Sequence, residues 1–464
     1  MSPDQRPDRR REAAEELEVR RRVREVTDAL MARMPESDVV PTLDRVARAM
    51  ELMGDPQRTY PVIHLTGTNG KTSTTRMVER ILRETGLRTG RFTSPHLHDP
   101  LERITIDGAS IDPRHFLEVW DDVAPFLAIV DAESEQAGGP PLSYFECIAV
   151  LAFAAFADAP VDVAVVEVGL GGRWDATNVA DGDVAVITPV GIDHERFLGS
   201  DLESIASEKA GIIKSGARVV SAAQEEDVRA VVADAVEAAD ARLATDGTEF
   251  GVTARDVAVG GQLVSIQGLA GEYTDLLLPL HGEHQAQNLA LAVAAVESFL
   301  GGGEQPLDVE LLREAVAGTT TPGRLEVVRR SPAVIVDSAH NPHGMLTLAR
   351  ALEESFTFAR LIGLVAIFED KDAEAMLSAL GTAVDHVVVT RNSSPRSLAP
   401  EALGRLAREV LGDDMVTVVE NLPDAVDLAG GLADEGGVSG GVIATGSIHT
   451  AADVRMVLGT TDVA

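Results

Sequence analysis

Cysteine is almost missing from this chain: Cys147 is the single one in 464 residues. An internal disulfide framework is therefore excluded, and such usage suits a reducing compartment. Long apolar runs are missing as well. The longest, from Cys147 to Ala157, stops at Asp158 and is too short to span a bilayer. The opening "MSPDQRPDRRREAAEELEVRRRVREV" lacks the apolar stretch that an export signal needs. These absences lead to the expectation of a soluble cytoplasmic protein with no membrane partner. Positive charge is scarce too: 40 Lys and Arg face 74 Asp and Glu, a formal net charge of −34. Nucleic acid would be repelled by such a surface. Any anionic substrate must then be held by local cations, backbone N–H groups or metal ions. The scarcest cation is lysine, confined to Lys71, Lys209, Lys214 and Lys371. Where arginine serves as the generic cation, a retained lysine is a candidate for work a guanidinium cannot do, because only an amine can lose its proton and react or act as a compact point charge.

What is present reads as two α/β domains, since 464 residues exceed one ordinary core and 45% are apolar. Residues 1–36 are dense in charges of both signs and read as a solvated, partly helical extension without chemistry. Residues 37–319 form the first domain. "YPVIHLTG" reads as a buried strand, "KTSTTRMVERILRETG" as a helix ending at Gly86, and "VDVAVVEVGLGG" and "GDVAVITPVGIDH" as central parallel strands. "ESEQAGGPPLS" (133–143) reads as a loop, "SYFECIAVLAFAAFA" as a buried helix, and residues 217–280 as a short α/β stretch followed by hairpins. "TTTPGRLEVV" reads as a hinge. Residues 320–464 repeat the alternation, with strands at "AVIVDSAHN", "LIGLVAIF", "HVVVT", "MVTVVE" and "GVIATGS", and form a smaller doubly wound domain.

The stretch "HLTGTNGKTSTTR" (64–76) places a strand, a tight loop with Gly67 and Gly70, and Lys71-Thr72 opening a helix. Backbone N–H groups, the helix N-terminus and a point charge then face one spot, which is how phosphates are cradled. The plainer alternative is a Gly-rich turn closing a helix. In parallel sheets ligands sit beyond the carboxyl ends of the strands, where Gly67, Glu167 and His194 fall.

"TGTNGKTS" resembles the loop of the Mur ligase superfamily, ATP-dependent enzymes that join a carboxylate to an amino acid. Within it, "GTNGK" is similar to the folylpolyglutamate synthase / dihydrofolate synthase branch. "FTSPHL", "SYFE", "VVEVGLGGRWDATN", "ITPVGIDH", "EKAGIIK", "HGEHQAQN", "PGRLE", "DSAHNPHG" and "ATGS" follow in that family's order. Thr72 departs from it, because this branch more often carries glycine there and the cell-wall ligases carry threonine. The resemblance implies a P-loop ATPase domain with a parallel central sheet and a Rossmann-like C-terminal domain. It implies ATP contacts at Gly67, Thr68, Asn69, Gly70, Lys71, Thr72, Asn288, Arg324 and Asp337, with Lys71, Lys209, Arg324 and His340 as catalytic groups.

Moving a γ-phosphoryl group builds charge on oxygens that hard cations neutralise, and magnesium takes oxygen ligands. Glu167 supplies a strand-end carboxylate and Ser94 a hydroxyl. By resemblance, both hold magnesium, His194 serves a second ion, and Lys209 joins it as a carbamate. Cofactors implied are ATP and two Mg2+, with K+ as a further candidate. Ser143, Tyr144, Phe145, Glu146, Arg173, Trp174 and Asp175 match the family's pterin contacts, and the segment 41–50 lies where another is found. Tyr144 and Phe145 could stack on a flat ring, or simply cap a core helix. Lys214 reads as a surface residue, and Lys371 as a contact for the amino acid's carboxylate or the phosphate. The implied reaction adds L-glutamate to dihydropteroate or to a folate's glutamate tail, in a monomer. Two alternatives stay open at this point: a cell-wall precursor ligase of the same superfamily, and a nucleotide-dependent switch without ligase chemistry.

Overall fold

The computed structural model describes residues 9–35, 40–435 and 439–460. Its first α/β unit is built on eight strands: β1 Val62–Thr66, β2 Thr89–Phe92, β3 Ile104–Ile106, β4 Ala109–Ser110, β5 Val163–Glu167, β6 Gly182–Ile187, β7 Arg218–Ser221 and β8 Arg242–Thr245. Their order is β4-β3-β2-β5-β1-β6-β7-β8, parallel from β2 to β8, with β3 and β4 antiparallel at one edge. The central strands are apolar on both faces because both faces are covered. Val62 of β1 and Ala164 and Val166 of β5 enter the core under helices Pro113–Gln136 and Tyr144–Asp158. Ile63, Leu65, Val163 and Val165 enter the opposite core, under helices Lys71–Glu84 and Glu283–Gly301. That second core also takes in an antiparallel sheet of β9 Gly251–Ala258, β10 Gly261–Gln267 and β11 Glu272–Leu278.

A second unit carries six strands, β12 Glu326–Arg330, β13 Ala333–Val336, β14 Arg360–Val365, β15 His386–Val389, β16 Val416–Val418 and β17 Gly440–Thr445. Their order is β12-β13-β17-β14-β15-β16, parallel except for the antiparallel edge strand β12. This is the mixed α/β architecture with two parallel sheets that the alternating pattern predicts.

Three local readings are corrected. Residues 133–136 complete the helix Pro113–Gln136, so the loop is shorter than its composition implies. The last three residues of "TTTPGRLEVV" begin strand β12, paired with β13, which confines the linker to the residues before Glu326. Within the extension, Arg9–Met31 is helical, and Val26 and Leu30 on its second half join the core beside Pro113–Gln136. The boundary between residues 36 and 37 lies outside the described residues. Among the described residues no helix is long and apolar enough to cross a membrane.

Candidate active site

A cleft of about 1580 Å³ opens between the carboxyl ends of the two sheets. Its floor is the turn between β1 and Lys71–Glu84. Only glycine fits at Gly67, where φ is +148° and an added Cβ would stand 1.9 Å from Thr188 Oγ1 and 2.9 Å from its carbonyl oxygen. Gly70, at φ +86°, is as constrained, since its Cβ would meet Asn288 Oδ1 at 2.6 Å. The turn is fastened to the loop after β6: the Thr68 and Asn69 amides donate to Pro189 O (2.9 and 3.3 Å), and Thr68 Oγ1 donates to Gly191 O (2.9 Å). Asn288 joins this wall through Gln285, whose amide in turn donates to Ser73 Oγ at 3.4 Å.

Two lysines converge on one carbonyl. Lys71 Nζ donates to Gly67 O (3.0 Å) and Thr68 O (3.1 Å), and Lys209 Nζ donates to Gly67 O (2.8 Å). Burial first, then the charge of Lys71, lowers the Lys209 amine to about 7. Burial also lowers Lys71, opposed by Glu167 and Asp193. Glu167, the buried last residue of β5, accepts from Thr72 Oγ1 on one oxygen (2.8 Å) and from the Ser94 amide on the other (3.2 Å). Burial raises its carboxyl, with Lys71 the main opposing charge. Thr72 Oγ1 and the Glu167 carboxylate thus stand together beside the turn, with Ser94 joined to them through its amide. His194 lines the same cleft from a left-handed backbone, φ 54°. Burial, Lys371 and His340 draw its imidazole below the ordinary value against Asp193, so a neutral ring faces the cleft. Among the described residues no three His, Cys, Asp or Glu side chains gather into a group that could hold a metal by themselves.

The second unit contributes the opposite wall. Arg324 lines it, in the linker before β12. The next residue, Leu325, is held at φ 46°, a conformation uncommon for a bulky side chain. Asp337 anchors it, accepting from the Leu325 amide on Oδ2 and from the Ala339 amide on Oδ1, both at 2.8 Å. Burial raises the Asp337 carboxyl against the pull of Arg324. In this arrangement Asp337 fixes the backbone beside Arg324. His340 turns Nδ1 to Ser338 O (2.9 Å) and brings Nε2 to 3.5 Å from Asp193 Oδ2.

The expected pterin contacts divide. Ser143, Phe145, Glu146, Trp174 and Asp175 line the cleft. Ser143 and Glu146 form a capping box at the start of Tyr144–Asp158, and Arg45 closes on Glu146 Oε1 at 2.8 Å, both side chains 8% exposed. Arg45 lies in the segment 41–50. Asp175 is engaged by its own turn, accepting from the Leu170 amide (2.9 Å), the Thr177 amide (2.9 Å) and Thr177 Oγ1 (2.5 Å). Tyr144 and Arg173 are absent from the cleft wall. The Tyr144 ring is buried under the Arg103 guanidinium, 5.0 Å away, and Arg173 reaches to Ser207 at 3.1 Å. Lys214 is half-buried rather than superficial, donating to Asn178 O at 2.9 Å. Lys371 is in an ion pair with Asp193 at 2.5 Å. Sequence reasoning passed over Asp193, Asn341, Gln285 and Leu325. Asp193 carried a signal, a carboxylate at a strand's carboxyl end in "GIDH", but its partners lie in the other unit.

Comparison with known proteins agrees with this geometry. Residues 121–296 match the Mur ligase middle domain, and residues 323–448 match the Mur ligase glutamate ligase domain. The dihydrofolate synthase/folylpolyglutamate synthase of Mycobacterium tuberculosis is 47% identical over 456 residues, covering 94% of this chain and 93% of that protein. The crystal structure of the M. tuberculosis folylpolyglutamate synthase complexed with ADP and AMPPCP superposes with a TM-score of 0.89, at 47% identity, over 95% of this chain and 98% of that one. Escherichia coli FolC in complex with DHPP and ADP gives a TM-score of 0.82 at 29% identity, over 94% of this chain and 97% of that one. On the phosphate turn, the two parallel sheets and the extent of these matches, the chain belongs to the dihydrofolate synthase/folylpolyglutamate synthase family of Mur ligases.

Proposed function

We propose that this protein is an ATP-dependent ligase that adds L-glutamate to dihydropteroate, forming dihydrofolate, and to the glutamate tail of reduced folates. A substrate carboxylate oxygen attacks the γ-phosphorus of ATP, the bond to the bridging oxygen breaks, and ADP leaves an acyl phosphate. The amine of L-glutamate attacks the acyl carbon, its proton is lost, and inorganic phosphate departs. One observation carries the reading: Lys71, Thr72, Glu167 and Lys209 from the first unit and Arg324, Asp337 and His340 from the second line a single cleft. Lys71 and the N-terminus of Lys71–Glu84 hold the phosphates, Arg324 stabilises charge on the transferring group, and closure of the two units keeps water from the acyl phosphate. The relatives' ADP complexes support ATP as the phosphoryl donor.

Thr72, Ser94 and Glu167 are hard oxygen donors on adjoining elements and fit a magnesium ion, which supplies charge neutralisation for phosphoryl transfer. A second ion is assigned to His194 and Lys209. A protonated Lys209 has no lone pair for a metal, but an amine lowered to about 7 is neutral often enough at physiological pH to add to carbon dioxide, lose a proton and present carbamate oxygens. K+ is retained as a further candidate ion. Phe145 and Trp174 offer flat surfaces to the pterin, while Asp175, taken up by its own turn, shapes the loop beside them. The division into residues 37–319 and 320–464 is supported by the partition of strands between two sheets. A reducing, cytoplasmic setting fits the single cysteine, and a monomer stays part of this reading.

The test is purified protein with ATP and labelled glutamate, offered dihydropteroate and tetrahydrofolate separately. Label entering a pteroyl product with equimolar ADP is expected. ATP hydrolysis indifferent to both acceptors would revive the nucleotide-switch reading.

A further inference from the structure

The carboxylate of Asp193 belongs to the loop after β6, yet most of its partners belong to the second unit. Oδ1 accepts from Lys371 Nζ (2.5 Å) and from the backbone amide of His194 (2.8 Å). Oδ2 accepts from Asn341 Nδ2 (3.0 Å) and faces His340 Nε2 at 3.5 Å. Asp193 and Lys371 side chains are each 8% exposed. Asn341 is preset for this contact. As the N-cap of helix Pro342–Ser355 it accepts the Gly344 amide on Oδ1 (2.7 Å), which leaves its NH2 to donate to Asp193 and to Asn69 Oδ1 (3.2 Å). Asn69 in turn meets His343 Nδ1 at 2.9 Å. The phosphate turn therefore grips the segment after β13, and the His194 loop grips that segment and also the loop after β14.

We propose that Asp193 is a positioning residue that couples closure of the two units to the placement of His194. Its carboxylate is complete only when Lys371 and Asn341 are docked, and the same oxygen that takes Lys371 fixes the amide of a residue held at φ 54°. Opening the cleft gives up the Lys371 ion pair and the Asn341 hydrogen bond to water, so both contacts exist only in the closed arrangement. Releasing Lys371 also frees the His194 backbone. The closed cleft and the ordered His194 are thus one state. This rests on the ligase reading, in which an open cleft exposes the acyl phosphate to water.

The experiment compares Asp193→Asn, Lys371→Met and the double variant with the wild type, after circular dichroism has verified folding. Three quantities are read: phosphate released per amide formed, kcat and the KM for ATP. Both single variants are expected to lower kcat about tenfold, the scale of coupling within one ion-pair network. Phosphate release should exceed amide formation several-fold on the order of that coupling, with KM for ATP little changed. The double variant should be no worse than the poorer single one. Arg360→Gln, which removes an ion pair to Glu435 within the second unit, should keep release and amide formation equimolar. Equimolar release in both Asp193→Asn and Lys371→Met, or losses that multiply in the double variant, would overturn the proposal. Small-angle scattering with a non-hydrolysable ATP analogue separates this from the ligase reading. A larger radius of gyration in Asp193→Asn supports the coupling even if no amide forms, and curves that superpose on the wild type refute it.

Discussion

At the scale of single residues, charge buried beside charge sets the chemistry. Lys209 is buried and shares the Gly67 carbonyl with Lys71, so its proton is held weakly. An arginine there would keep its charge at any accessible pH and cannot form a carbamate. Lys209→Arg is expected to cut turnover by about 10²–10³, the scale of removing one electrostatic stabiliser. Steady-state assays at saturating ATP check this, and near-normal turnover would end the carbamate assignment. Arg45 and Glu146 are a different kind of pair, closed on each other at 2.8 Å with both ends buried. Arg45→Met strands a buried carboxylate and should cost roughly 3–5 kcal/mol in urea unfolding, whereas removing both partners together should recover a large part of the loss.

At the scale of elements, strand β1 carries both the phosphate turn and a hidden titration. His64 in its middle is fully buried, bonded to Thr177 Oγ1 at 2.9 Å. Burial lowers its pKa from 6.5 to about 3. Above 6.5 the ring is neutral folded and unfolded, and contributes no pH dependence. As pH falls from 6.5 toward 3 the unfolded chain binds a proton that the native strand refuses. Stability should then fall by up to about 1.4 kcal/mol per pH unit from this group, and flatten below the native pKa. Denaturation midpoints across that range check it, with His64→Gln expected to remove this part of the acid slope. The turn that follows β1 is equally intolerant. Gly67→Ala should abolish nucleotide binding, because the Cβ meets backbone as well as the Thr188 hydroxyl. Thr188→Ala should therefore fail to rescue it in calorimetric titration with ATP.

At the scale of the whole molecule, the proposed role of Arg324 depends on closure of the units. Asp337 holds Leu325 at positive φ and so aims the residue before it. Arg324→Ala is expected to lower kcat by about 10²–10³ while ATP still binds, a split that single-turnover and binding measurements can resolve. The net charge of −34 belongs to this scale too. On the proposed reading, the anions of the reaction are met in so acidic a molecule by Lys71, Arg324 and the N-terminus of Lys71–Glu84, which line one cleft.

Much of this was legible in the sequence because it depends on local rules. Continuous apolar runs announced the parallel strands, glycine spacing announced the tight turn after β1, and Glu167 stands at the end of its strand as the run implied. The linker was partly misread because β12 owes its form to pairing with β13. Tyr144 and Arg173 illustrate a second limit, since a motif fixes a residue's place along the chain but not the side its ring or guanidinium turns to. Asp193 shows the third. Sequence determined that a carboxylate stands beside His194. Only the tertiary structure brought Lys371 and Asn341 of another sheet against it, because contacts between units depend on how two folded surfaces meet, which no local periodicity encodes.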